Sequence, residues 1–282
     1  MLDDTSLRRA AEAISSADAL LITAGAGMGV DSGLPDFRGD HGFWHAYPPY
    51  EKLGLTFVAL ANPRWFTNDA ALAWGFYGHR MNLYRSTAPH SGFQLLLKWA
   101  NRMRHGAFIF TSNVDGHFQR AGFDPDRIIE VHGSIEWIQC LRNCTLEPFA
   151  VEPDKHRVAI DETTMRAREP LPACPSCGGR ARPNILMFDD WQWNELRTGL
   201  QQERLRAWLR SVKRARLVIV ECGAGTAVPT VRVFSEDIVR SFDATLIRIN
   251  PREPEVPDGH ISITAGALET LVAIDGRLSE LR

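Results

Sequence analysis

Apolar residues follow two different spacings along this chain. From Ser6 to Ala17 they fall at Leu7, Ala10, Ala11 and Ile14, the repeat of an amphipathic helix. Ala19-Leu20-Leu21-Ile22-Thr23-Ala24 is instead an unbroken apolar run of strand length that leads directly into Gly25. Similar runs follow at Phe108–Thr111, Ile128–Val131, Leu217–Val220 and Thr245–Ile249, with a shorter one at Ile261–Thr264 before a helical stretch from about Ala267 to Ile274. Runs with no polar face predict strands buried on both sides, as in parallel sheets. Several of them end at Gly, Asn, Asp or His, where an open parallel sheet collects its ligands. The predicted class is α/β, a Rossmann-like, doubly wound parallel sheet.

Two segments interrupt this alternation. Residues from about His45 to Asn101 are rich in Trp, Tyr and Phe at helical spacing and predict a helical insert over the glycine loop. Residues from about Glu136 to Asn184 hold paired cysteines, prolines and charges without a long periodic run, which suits a small metal-organised lobe. The expected layout is one domain over 1–282. Its large lobe comprises about 1–44, 102–135 and 185–282, with a helical insert at about 45–101 and a zinc-binding insert at about 136–184.

Composition changes this picture little. Apolar and charged contents of 44% and 23% are those of an ordinary globular protein. A formal charge of −2 argues against nucleic acid as a main partner. No apolar run approaches the roughly 20 residues that span a bilayer, and the acidic start Met1-Leu2-Asp3-Asp4 lacks a secretory layout. Cytoplasmic location, no membrane partner, and a monomer or weak oligomer are expected.

The candidate chemistry sits at the strand ends. In Gly25-Ala26-Gly27-Met28-Gly29-Val30 the glycines allow close backbone approach to a pyrophosphate, although Val30 occupies the place of the third glycine in the ordinary dinucleotide fingerprint. Thr111-Ser112-Asn113-Val114-Asp115-Gly116-His117 offers an amide and a carboxylate that together can recognise a carboxamide; the plain alternative is an Asx turn. His132-Gly133 follows a strand directly, where a histidine can accept a proton near neutral pH. The remaining histidines have less suggestive settings.

Cysteine usage is more specific. Cys140-x3-Cys144 and Cys174-Pro175-Ser176-Cys177-Gly178-Gly179 form two close pairs, with Cys222 alone. Two thiolate pairs, the second shaped as a knuckle, match a structural tetrahedral zinc site. Four sulfur ligands leave no open position, so the metal would hold structure and perform no chemistry.

Taken in order, these motifs resemble the sirtuin (Sir2-like) family of NAD-dependent protein deacylases, from about Ala19 to Asn250. The resemblance rests on Gly25-Ala26-Gly27 with Ser32-Gly33-Leu34-Pro35-Asp36-Phe37-Arg38, Asn113-Val114-Asp115-Gly116, His132-Gly133, the cysteines with Arg182-Pro183, and Ile249-Asn250. It implies a Rossmann-like lobe, a zinc lobe and a substrate cleft between them. It also implies a reaction in which the acyl oxygen of a modified protein lysine attacks the ribose carbon of NAD as nicotinamide leaves. Free lysine and O-acyl-ADP-ribose are the other products. By the same resemblance His132, Asn113 and Asp115 are catalytic. Gly25, Ala26, Gly27, Asp36, Phe37, Arg38, Ser112, Gly223, Gly225 and Asn250, with Asn113 and Asp115, bind the cofactor. Phe188 belongs to the peptide-binding strand. Tyr77 and Arg80 match the Tyr-x-x-Arg pattern of members that remove acidic acyl groups such as succinyl; a phenol and a guanidinium near one another on a helix can hold a carboxylate.

The chain departs from the family pattern in its first cysteine pair, which carries one extra spacer residue that zinc geometry tolerates, and at four further places. Gly29 replaces a serine, Ser112 a glutamine, Gly223-Ala224-Gly225 a Gly-Thr-Ser, and Phe188-Asp189-Asp190 a Phe-Gly-Glu. These changes touch the acceptor more than the cofactor. They keep open an ADP-ribosyltransferase or NAD glycohydrolase, and behind these a non-enzymatic module that binds NAD or ADP-ribose.

Overall fold

The structure is a computed structural model that describes residues 2–36, 39–152 and 157–281. The chain opens with α1 (Asp4–Ser16), whose Asp3 side chain caps the Ser6 N–H, and β1 (Ala19–Ala24), buried along its whole length. A 3-10 turn over Ala26–Ser32 follows. Helices α2 (Gly39–Ala46), α3 (Pro48–Lys52), α4 (Phe57–Leu60), α5 (Trp65–Asn68), α6 (Ala70–Ser86) and α7 (Ser91–Ala100) lead to β2 (Ala107–Thr111). Next come α8 (His117–Arg120), β3 (Ile128–Glu130), β4 (Gly133–Cys140), β5 (Phe149–Ala150), β6 (Ile160–Asp161), β7 (Arg166–Ala167) and β8 (Ala181–Ile185). The C-terminal part is α9 (Leu196–Ser211), β9 (Leu217–Cys222), α10 (Thr230–Ser241), β10 (Ala244–Ile249), β11 (Ile261–Ile263) and α11 (Ala267–Glu280).

Six strands pair in parallel in the order β11-β10-β9-β1-β2-β3. The chain steps outward from β1 to β2 and β3, then returns on the other side of β1 through β9, β10 and β11. The switch point lies between β1 and β9, and their C-terminal loops open the crevice where such sheets bind ligands. One face of the sheet packs on α1, α7 and α11 through Leu7, Ile14, Phe93, Trp99, Leu271 and Ile274. The other packs on α9 and α10 through Leu205, Trp208, Val231 and Ile238. The apolar runs predicted these strands because both faces are covered. Among the described residues no helix is long and apolar enough to cross a membrane.

A second core draws on both interrupting segments at once. Phe43, Tyr47, Tyr50, Phe66, Trp74 and Phe76 pack with Ile135, Ile138, Val158, Met165 and Ile185. Three side-chain donors tie the helices to the cysteine-bearing segment: Tyr50 OH to Met165 O (2.9 Å), Trp74 Nε1 to Ala181 O (3.0 Å) and Asn82 Nδ2 to Val158 O (2.9 Å). The two segments therefore share one core. α7, grouped by sequence with the helical insert, lies instead on the large sheet, because its Phe93, Leu96 and Trp99 form a single apolar face. The cysteine-bearing segment, which has no long periodic run, contains the antiparallel sheet β5-β4-β8. A register shift between Ser134 and Ile138 breaks the alternation in β4, and β8 buries Arg182 and Asn184, so neither strand has an apolar signature.

Candidate active site

Three loops meet backbone to backbone above the switch point. The Gly25 N–H donates to Cys222 O, the Gly27 N–H to Gly223 O, and the Gly223 N–H to Ile249 O, each at 3.0 Å. A Cβ on Gly27 would sit 2.7 Å from Gly223 Cα, and one on Gly223, whose φ is +63°, would sit 2.4 Å from Gly27 Cα. Glycine at these two places is thus required by loop-to-loop contact as well as by any ligand. Asn250 is fully buried; its amide donates to Ala224 O at 2.8 Å and its Oδ1 accepts the N–H groups of Arg252 and Glu253. Arg232 of α10 reaches the same Ala224 carbonyl at 3.3 Å and Glu253 O at 2.7 Å. Asn250 and Arg232 together fix the Gly223–Gly225 loop. Beneath it, Arg248 on β10 faces Glu221 on β9 in register and forms a fully buried ion pair.

These loops wall a cavity of about 90 Å³ lined by Gly27, Val30, Asp31, Asp36, Gly223, Ile249, Pro251, Arg252, Gly266 and Ala267. The N-terminus of α11 borders it, where the Leu268 N–H donates to Asp31 Oδ2 at 2.8 Å and the Gly266 N–H to Glu269 Oε1 at 2.9 Å. Asp36 is among the residues that line this cavity. Phe37 and Arg38 lie outside the described residues.

Asn113 follows from the end of β2. Thr111 Oγ1 donates to Ala24 O (3.0 Å) and accepts the Asn113 N–H (3.0 Å), while Asn113 Nδ2 donates to Gly25 O (3.0 Å). The Asn113 amide is thereby locked to the first glycine of the loop, with its Oδ1 left to meet a ligand. Asp115 is buried, and its Oδ1 accepts the His117 N–H at 2.9 Å. This is the Asx turn anticipated from sequence, and it starts α8.

His132 comes one residue after β3. Gly133 is forced: its φ is +77°, and a Cβ there would meet Asn184 O at 2.0 Å. The His132 ring is hydrogen-bonded to the Ser112 backbone, and its Nε2 lies 3.5 Å from Thr230 Oγ1. Burial pushes the imidazole below its ordinary pKa, with the Ser112 bond pulling the other way, so the ring is neutral at pH 7. His132, Ser112, Asn113 and Gly25 thus form one connected set, drawn from three strand ends.

Tyr77 and Arg80 sit on α6 in the second core, both buried. The Arg80 guanidinium lies 5.2, 5.7 and 5.3 Å from the ring centres of Phe76, Tyr77 and Tyr84, and its Nε donates to Tyr84 OH at 2.9 Å. Burial pushes the Tyr77 phenol up to about 12, so it remains a neutral donor. Phe188 is half-buried edge-on to Phe57, 6.1 Å between ring centres. The N–H groups of Leu186, Met187 and Phe188 are spent on His132 O, Asp190 Oδ2 and Ala61 O. An added strand would find few donors along this stretch. Asp189, where the family pattern has glycine, keeps a left-handed φ of +56°. Asp190 buries its carboxylate against Arg182 at 2.5 Å.

The sulfurs of Cys140, Cys144, Cys174 and Cys177 lie within 4.8 Å of one another, with Cys140–Cys177 at 3.7 Å and Cys144–Cys174 at 3.5 Å. Zinc–sulfur bonds of about 2.3 Å in a tetrahedron set sulfurs about 3.8 Å apart, so this donor set fits zinc. The knuckle is closed by Cys174 N–H to Gly179 O (2.7 Å) and Gly178 N–H to Cys174 O (2.8 Å).

Sequence reasoning passed over His90, Thr230 and Arg232. His90 caps α7, its Nε2 lies 2.9 Å from Met28 O, and its N–H donates to Ser32 Oγ at 2.9 Å, so it braces the glycine loop. Its place just before the apolar periodicity of α7 was a usable capping signal. Thr230 and Arg232 carried none, since their partners lie far away in the chain.

A sequence model of the Sir2 family matches residues 25–228. The chain is 32% identical over 258 residues to a probable bifunctional ADP-ribose hydrolase/ADP-ribosyltransferase of Fusarium oxysporum f. sp. cubense; the match covers 86% of this chain and 42% of that protein's length. It is 30% identical over 262 residues to NAD-dependent protein deacylase 1 of Archaeoglobus fulgidus, covering 92% of each. Its fold matches that of a Sir2 homologue solved as an NAD complex with a TM-score of 0.68 at 26% identity, covering 97% of this chain and 94% of the other.

Proposed function

The chain belongs to the Sir2 family, and from that premise we propose that it is an NAD-dependent protein-lysine deacylase. The observation that carries this reading is the linked set His132–Ser112–Asn113–Gly25 at the switch point, with the imidazole neutral. Bound NAD supplies a ribose carbon whose bond to nicotinamide can break as the acyl oxygen of a modified lysine attacks it.

The residues of this chain then divide the work. The Gly25–Gly27 and Gly223–Gly225 loops receive the pyrophosphate end, and Asn250 holds the second loop in place. Asp36, Phe37 and Arg38 belong to the segment that covers the cofactor. Asn113 and Asp115 hold the carboxamide of nicotinamide. Neutral His132 takes a proton from a ribose hydroxyl after the bond to nicotinamide has broken, which lets that oxygen attack the transferred acyl carbon. Cys140, Cys144, Cys174 and Cys177 hold a structural zinc. Phe188 borders the entry of the acylated lysine, and Arg80 with Tyr77 meets an acidic acyl group.

The reading is tested by nicotinamide release with and without an acyl-lysine peptide. Release should depend on the peptide and be nearly abolished in His132→Ala. Equal release without peptide would overturn it. Succinyl and acetyl peptides compared side by side test Arg80: Arg80→Met should lower the succinyl-to-acetyl ratio of kcat/KM at least about tenfold, and an unchanged ratio removes Arg80 from acyl selection.

A second reading, transfer of ADP-ribose to a protein or to water, is favoured by the Fusarium relative and by the spent N–H groups at 186–188. Mass spectrometry of all NAD-derived products separates the two readings. O-acyl-ADP-ribose marks the first, and protein-bound or free ADP-ribose the second.

A further inference from the structure

The turn Ala26–Ser32, which carries Gly27, Val30 and Asp31 to the cofactor cavity, winds as a 3-10 helix of seven residues. Such runs seldom exceed about four residues, because their hydrogen bonds are poorly aligned. This one is gripped from two helices. From α11 the Leu268 N–H donates to Asp31 Oδ2 at 2.8 Å. From α7 comes His90, the buried cap of that helix. Its backbone N–H donates to Ser32 Oγ and its Nε2 lies against Met28 O, each at 2.9 Å.

The state of the His90 ring follows from its two partners. A backbone N–H can only donate, and a carbonyl oxygen can only accept. The Gly92 N–H meets Nδ1 at 3.0 Å, and the Met28 carbonyl meets Nε2. Nδ1 therefore carries the lone pair that caps α7, and Nε2 carries the proton given to Met28. The ring also has a slot fitted to it. A Cβ on Gly92 would sit 2.6 Å from His90 Cε1, 2.8 Å from Nδ1 and 2.9 Å from Leu271 Cδ1 of α11. Glycine weakens a helix by about 1 kcal/mol relative to alanine. Its place in the first turn of α7 is explained by the room it leaves for the imidazole.

We propose that His90 is a positioning residue for NAD: by holding Met28 and Ser32 it keeps the 3-10 turn in the shape that lines the cofactor cavity. This inference rests on that cavity receiving NAD. His90 acts through the turn and does not itself line the cavity. Without the Nε2–H bond the turn loses its hold at Met28, and fewer molecules have the loop ready for the pyrophosphate. Binding must then order the turn as well, whereas a turn already ordered by bound NAD serves catalysis unchanged.

The test compares two variants that divide the roles of the ring. His90→Asn can still cap α7 through its amide oxygen but is too short to reach Met28 O. His90→Gln can place an amide N–H where Nε2 stands but leaves the helix uncapped. In titrations with NAD and no peptide, Kd should rise about five- to tenfold in the asparagine variant, the worth of one hydrogen bond. Glutamine should recover most of that affinity even though its melting temperature is the lower of the two. In turnover, His90→Asn should raise KM for NAD and leave kcat at saturating NAD unchanged. Gly92→Ala, which drives a methyl into the ring, should weaken NAD as much as His90→Asn and add nothing in the double variant. Wild-type affinity in His90→Asn, or affinities that simply follow the melting temperatures, would overturn the proposal. An independent readout uses the free protein: ¹⁵N spectra of His90 should show Nε2 protonated and Nδ1 bare. The opposite tautomer refutes the Met28 bond. A wild type that follows this whole pattern but releases nicotinamide without peptide refutes the deacylase reading and leaves His90 in its role.

Discussion

Replacing Gly223 by alanine tests whether the glycine loops are matched to each other. The new Cβ would sit 2.3 to 2.4 Å from three backbone atoms, Gly27 C, Gly27 Cα and Met28 N. Carbon contacts are comfortable only beyond about 3.5 Å, so the loops must part by roughly 1 Å. No side-chain rotation can relieve a clash between backbones. The residue also holds φ at +63°, which costs an alanine about 1–2 kcal/mol. Parting the loops weakens the 3.0 Å bond from the Gly27 N–H to Gly223 O, worth about 1 kcal/mol. The sum is about 2–3 kcal/mol, or a fall in melting temperature on the order of 3–5 °C for a chain of this size. NAD affinity should fall more steeply, by about a hundredfold, because both phosphate-facing loops are displaced. Scanning calorimetry and titration with NAD measure the two effects. Gly33→Ala is the control for conformation alone, since its φ is +91° and no atom lies within 4 Å of its Cβ. Gly199→Ala, in the open on α9, should raise stability by about 1 kcal/mol. A Gly223→Ala protein with wild-type melting and wild-type NAD affinity would refute this account of the loops.

Three further outcomes follow from the structure. Asp190→Asn leaves the buried Arg182 guanidinium without its countercharge and should destabilise by about 3–5 kcal/mol in urea melts; a loss under about 1 kcal/mol would mean that the pair is solvated. Cys174→Ser should lower zinc content from one per chain towards zero by atomic absorption and loosen the β5-β4-β8 lobe to proteolysis, whereas retention of stoichiometric zinc would exclude Cys174 as a ligand. Stability should decline as pH falls below about 6.5. Burial holds His79, His90, His117, His132 and His260 below that value, so the unfolded chain takes up protons the folded one refuses. A second decline should come between pH 3.8 and about 2, where Asp18 loses its bond to Arg216. A melting temperature that is flat or rises from pH 7 to 5.5 contradicts the first decline.

The amino-acid sequence by itself determined the parallel sheet, because strands covered on both faces are predominantly apolar, and the runs at Ala19–Ala24 and Leu217–Val220 are written that way. It also determined the chemistry-bearing loops, because Gly25-Ala26-Gly27, Asn113-Val114-Asp115, His132-Gly133 and the cysteine pairs are local patterns at strand ends or at ligand spacing. What it did not contain were relations between distant residues. That Gly27 and Gly223 require each other, that Asn250 and Arg232 share one carbonyl, and that Thr230 faces His132 depend on strands brought side by side from opposite ends of the chain. The same holds for β8, whose buried Arg182 and Asn184 are tolerated only because Asp190 and Gln139 meet them. Local sequence specifies backbone habit and reactive groups. Only tertiary contact decides which polar atoms are satisfied, and so which of those groups remain free to act.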